Sequence, residues 1–78
     1  MKTYNLVKKV IKIEETLKLN EAKLITLYGN IMEAKSPDVK KQYMEIYDNV
    51  FSEQVKLTKQ YDVYMDILKN IDRLTNAL

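Results

Sequence analysis

Residues 34–39 read Ala-Lys-Ser-Pro-Asp-Val and form the one stretch that interrupts two long helical patterns. Ser36 offers a side-chain oxygen to the free amides of a first helical turn. Pro37 suits the first helical position, where its missing N–H has no partner to lose. Asp38 then places a negative charge at the positive end of the following helix. Because proline disfavours helical geometry in the residue before it, helix one is expected to end just before Ser36.

Apolar residues recur at alternating steps of three and four on both sides of this interruption, which places them along one seam of each helix. The two stripes, including three polar members, are Leu6, Val10, Ile13, Leu17, Asn20, Leu24, Leu27, Ile31, Ala34 and then Val39, Tyr43, Ile46, Val50, Glu53, Leu57, Gln60, Tyr64, Ile67, Ile71, Leu74, Leu78. Helices joined by so short a connection are antiparallel neighbours. The sequence therefore predicts an all-α antiparallel two-helix hairpin. A single domain spans 1–78, with helix one at about 4–34, a turn at about 35–37 and helix two at about 38–75.

Two places in helix one leave an alternative open. Asn20 can cap a fresh helix beginning at Glu21, and Gly29 costs about 1 kcal/mol in a helix interior. The alternative is a three-helix bundle with a break near Asn20 or Gly29. The hairpin is favoured because the seam keeps its phase through both places.

Composition narrows the classes of function. The 78 residues contain no Cys and no His, so the usual ligands of a structural zinc site are missing. The net charge is +2, and Arg73 is the single arginine among 13 basic residues. So few arginines do not favour a protein that recognises nucleic-acid bases or phosphates. No apolar run reaches the roughly 18 residues that would span a bilayer. We expect no membrane span and a cytoplasmic location.

The N-terminal segment carries a local basic bias, with Lys2, Lys8, Lys9 and Lys12 preceding the first acidic residue. Such a run is typical of a solvated helix face. Nucleic-acid binding through this segment is a third-ranked alternative for the function.

A second apolar surface flanks the seam on one side of both helices. Its members are Ile11, Ile25, Tyr28, Met32, Met44, Tyr47, Phe51, Tyr61, Met65 and Leu68. This surface exceeds the apolar patch that a soluble monomer usually exposes. We expect a second copy to cover it, forming a homodimeric four-helix bundle, or another helical protein to do so.

Three polar residues, Asn20, Glu53 and Gln60, interrupt the apolar seam as a polar layer. If the turn centres near Ser36, residues whose numbers sum to about 73–74 face each other, so Asn20 is expected opposite Glu53. One hypothesis is that this pair fixes the helix register. The other is a metal site built from Glu21 and Glu53 and doubled by dimer symmetry.

Residues 21–28, Glu-Ala-Lys-Leu-Ile-Thr-Leu-Tyr, resemble the first-helix Glu-x-x-Ala-Ile-x-x-Tyr motif of rubrerythrins and other ferritin-like proteins, and the turn resembles their short proline-bearing link. The resemblance covers about residues 17–70 and implies a bundle that binds iron or manganese between chains, with Glu21 and Glu53 as ligands. The family's second-helix Glu-x-x-His motif is incomplete, since Lys56 stands where His belongs.

No arrangement typical of catalysis is present. Ser36 and Ser52 have no His to activate them, and one Gly cannot form a phosphate-binding loop. The sequence predicts a non-enzymatic helical protein that acts through helix–helix contacts in an assembly, adaptor or inhibitory role, without a cofactor. The alternative is the ferritin-like metal-binding bundle.

Overall fold

The computed structural model describes the backbone of residues 3–77 and the side chains of residues 3–74. It consists of two helices, α1 (Thr3–Glu33) and α2 (Pro37–Ala77). The all-α prediction is confirmed, and the helices form the expected hairpin. The three-helix alternative is wrong, because α1 runs without a break through Asn20 and Gly29.

The turn lies where residues 34–39 predict it, and α2 begins at Pro37. The Ser36 carbonyl accepts the backbone N–H of Lys40 at 3.0 Å, which is the first hydrogen bond of α2 and makes Ser36 its N-cap residue. Pro37 occupies the first helical position and Asp38 lies in the first turn. At the end of α1, the Ala34 N–H still donates to the Asn30 carbonyl at 2.9 Å.

The helix register follows the expected rule that facing residue numbers sum to about 73. Asn20 donates to Glu53, and the Lys9 ammonium lies 5.8 Å from the ring centroid of Tyr64. These two contacts are separated by about eleven residues along α1, so the same register holds over three helical turns.

The rotation of α2 about its axis differs from the predicted seam. Its half-buried residues include Tyr47, Tyr61 and Leu68, whereas Ile46 and Gln60 are exposed. The predicted seam stripe of α2 carries the polar residues Glu53 and Gln60, while the neighbouring stripe is interrupted only by Gln54. A rotation of α2 that brings the neighbouring stripe to face α1 therefore buries more apolar area. Gln60, expected in the seam, lies on the surface for this reason.

The buried core is short and lies near the open end of the hairpin. Leu6, Val10 and Ile13 are the buried apolar residues of the described side chains, and Asn20 is the buried polar one. Between residues 21 and 52, all of which the structure describes, no residue is buried. We call this region the turn half. The molecule measures 63 × 17 × 15 Å, so it is a rod about one helix pair thick.

Candidate protein-association surfaces

One side of the turn half exposes a continuous group of large apolar side chains, which we name the Tyr28 flank: Ile25, Tyr28, Met32, Met44, Tyr47 and Phe51. All of them except the half-buried Tyr47 are exposed, and Ile25, Tyr28 and Met32 have 68%, 59% and 65% of their surface accessible. The Tyr47 and Phe51 rings stack one helical turn apart, with centroids 6.4 Å apart. Tyr28 lines two shallow clefts of about 240 and 270 Å³, the second of which also includes Asp48.

The ten residues that a partner was predicted to cover fall into an exposed group and a half-buried group. Six are exposed, five on the Tyr28 flank and the sixth, Ile11, farther along α1. The other four, Tyr47, Tyr61, Met65 and Leu68, are half-buried, as the rotation of α2 requires for its inward stripe. The exposed part of this predicted surface is therefore concentrated in the turn half.

The opposite side of the turn half carries a groove that the sequence analysis did not predict. This Leu19 groove has a volume of about 540 Å³ and is lined by Leu19, Ala22, Lys23, Thr26, Leu27, Ile46 and Val50. Leu19 is 64% exposed and Ile46 is 48% exposed. The sequence pattern places Ile46 in the seam between the helices. Ile46 is exposed because α2 is rotated about its axis relative to that prediction. The sequence does contain one sign of this groove: the small residues Ala22 and Thr26 lie on consecutive helical turns between Leu19 and Leu27.

A polar layer crosses the hairpin at its middle. Asn20, only 3% exposed, donates from Nδ2 to Glu53 Oε1 at 2.9 Å. Beside it, Gln54 donates from Nε2 to the Leu17 carbonyl oxygen at 3.0 Å. Gln54 Oε1 is buried and has no hydrogen-bond partner. The layer therefore combines two hydrogen bonds between the helices with one unpaired acceptor. The unpaired acceptor costs free energy because it is buried inside an otherwise apolar contact.

The two candidate metal ligands do not complete a centre within one chain. Glu21 is exposed, and Glu53 is engaged by Asn20. Among the residues that the structure describes, no group of three or more acidic side chains is arranged to hold a metal ion. A site of the predicted kind needs ligands from a second copy, and it stays a prediction.

Two lysines of the basic segment, Lys8 and Lys9, lie against aromatic rings. Lys8 Nζ is 5.3 Å from the ring centroid of Tyr4, and Lys9 lies over Tyr64 as described above. Both contacts are within the range of cation–π attraction. Lys12 is exposed, and Lys2 lies outside the described residues. Nucleic-acid binding by this segment stays a prediction.

Comparison of the chain with protein-family models, with curated proteins and with solved structures found no match. The resemblance to ferritin-like hairpins therefore stays a prediction. Over the described residues, neither helix is long and apolar enough to cross a membrane.

Proposed function

We propose that this chain is a non-enzymatic assembly protein that acts through helix–helix contacts, with the Tyr28 flank as its contact surface and a second copy of the chain as its partner. The observation that carries the proposal is the exposure of this flank, where five large apolar side chains crowd into the turn half. Contiguous apolar surface of this kind is typical of interaction sites.

The small buried core of the hairpin also supports association with a partner. Of the described side chains, only three apolar ones are buried, and all three lie near the open end. A chain of this size has little core to stabilise it, and no disulfide can add to it because the chain has no cysteine. Burial of the Tyr28 flank against a partner helix supplies the missing apolar contact in the turn half.

The flank also has the composition of an interaction hot spot. Tyr28, Tyr47 and Phe51 supply rigid aromatic area, and Met32 and Met44 are flexible side chains that adapt to a partner surface. Adaptor and inhibitory roles use the same surface against a different helical protein.

Phe51→Lys tests the proposal. The Phe51 side chain is half exposed, so the hairpin folds with lysine in its place, while a charge in the contact opposes association. We expect native mass spectrometry and sedimentation velocity to show an oligomer for the unaltered chain and a monomer for Phe51→Lys. Val63→Lys, also exposed but on the other half of α2, is the matched control and keeps the oligomer. An unaltered chain that is monomeric at high concentration contradicts self-association.

A further inference from the structure

The Tyr28 flank and the Leu19 groove lie on opposite sides of the hairpin. Leu19 and Tyr28 are nine positions apart, so at about 100° per residue they are on opposite sides of α1. On α2, Ile46 and Phe51 are about 140° apart by the same geometry. Apart from Leu19, which lies just outside it, the residues of both surfaces belong to the turn half, in which no residue is buried.

The exposed area of the chain is large enough for both surfaces to be contacts. The chain exposes 6444 Å², whereas a folded monomer of 9.2 kDa exposes about 4,900 Å². The excess exposed area is about 1,500 Å², and a standard interface buries about 800 Å² of each partner. A two-fold dimer that pairs flank with flank covers about half of this excess, and it leaves the Leu19 groove open to water.

Charge and side-chain size also favour pairing of the two different surfaces. Lys23 lines the groove, and Asp48 lines a cleft of the flank. Flank-to-groove packing can bring a cation of one copy toward an anion of the next, whereas flank-to-flank packing offers Asp48 no cation from the groove and sets two copies of the same acidic surface against each other. Ala22 and Thr26 are small enough to admit the projecting side chains of the flank.

We infer that the Leu19 groove is the acceptor for the Tyr28 flank of a second copy, so that hairpins associate side by side in a heterologous contact. Such a contact leaves one free flank and one free groove at the ends of each assembly. Association therefore continues into a ring or a filament instead of stopping at a two-fold dimer. This inference rests on the proposed function, because it names the surface that receives the flank.

A mixing experiment separates heterologous from two-fold association. Tyr28→Lys disables the flank and Leu19→Lys disables the groove; both positions are exposed, and the variants differ in mass. We expect each variant alone to self-associate about thirtyfold more weakly than the unaltered chain, as loss of a hot-spot residue does. Mixed together, they form a one-to-one complex, since each supplies the surface that the other lacks. Val63→Lys, the matched control, assembles like the unaltered chain.

Each other outcome has a separate meaning. If Leu19→Lys leaves assembly unchanged while Tyr28→Lys abolishes it, the contact is flank to flank: the inference fails and the proposed function stands. If the unaltered chain is monomeric at high concentration, self-association fails as well.

Cross-linking gives an independent readout with conservative changes in a chain that has no cysteine. Thr26→Cys marks the groove and Met32→Cys marks the flank, and both positions are exposed. Oxidation of an equal mixture is expected to give mostly Thr26→Cys joined to Met32→Cys. A predominance of Met32→Cys homodimers overturns the heterologous contact.

Discussion

Asn20 allows the most direct test of what sets the register of the two helices. It is buried at 3% exposure, and its amide reaches across the helix pair to Glu53 at 2.9 Å. A polar residue enclosed among apolar neighbours lowers stability but penalises slipped pairings, in which its partner is absent. The structure places the two residues opposite each other, as the register hypothesis requires.

Replacing Asn20 with leucine separates stability from register. We expect Asn20→Leu to raise the free energy of unfolding by about 1 kcal/mol, because an apolar side chain suits this position and Glu53 can turn to solvent. The same change is expected to broaden the distances between spin labels attached at Lys12→Cys and Lys59→Cys. Urea unfolding and pulsed electron paramagnetic resonance measure the two effects. A single sharp distance in the variant contradicts the register role.

Gln54 supplies a second prediction at the residue scale. Its Oε1 is buried without a partner, and the Leu17 carbonyl that it contacts also accepts the regular hydrogen bond within α1. Gln54→Met keeps the shape and removes the unpaired acceptor, so we expect stability to rise by about 1 kcal/mol. Gln54→Glu, which puts a charge at the same position, is the contrasting variant and lowers stability. A loss of stability in Gln54→Met shows that the contact with Leu17 is worth more than the unpaired oxygen costs.

At the scale of the helix, Gly29 weakens α1 without interrupting it. A methyl group built at Gly29 meets no atom within 4 Å beyond its chain neighbours and the adjoining backbone of its own helix, and the backbone there is helical. Glycine in a helix interior costs about 0.5–1 kcal/mol relative to alanine, because it has more conformational freedom to lose. Neighbouring turns continue the seam and hold the helix together through this position.

Gly29→Ala is therefore expected to raise the free energy of unfolding by about 0.5–1 kcal/mol, measured as a higher urea midpoint with an unchanged slope. Gly29→Ser is the graded control and gives a smaller gain, since serine is a weaker helix former than alanine. Destabilisation by alanine shows instead that a partner approaches the backbone closely at this position.

At the scale of the whole molecule, folding and association are coupled if the turn half completes its core only in the assembly. A ligand or partner that binds only the folded chain stabilises it by mass action. We expect the thermal midpoint, followed by circular dichroism, to rise by several degrees when the protein concentration increases about a hundredfold. Phe51→Lys is expected to remove this dependence. A midpoint that is independent of concentration in the unaltered chain indicates that the hairpin is stable alone.

The two helices, the turn and the register follow from the amino-acid sequence alone. Each depends on local chemistry or on a repeated pattern: Ser36 and Pro37 start α2, the three-and-four spacing defines a helical stripe, and the length of the turn aligns Asn20 with Glu53. The rotation of α2 about its axis, in contrast, depends on how the two helices pack. Two adjacent stripes of that helix are both largely apolar, and the choice between them depends on contacts summed along both helices. That choice left Tyr61 half-buried, exposed Gln60 and placed Ile46 at the edge of a groove that no single helix pattern reveals.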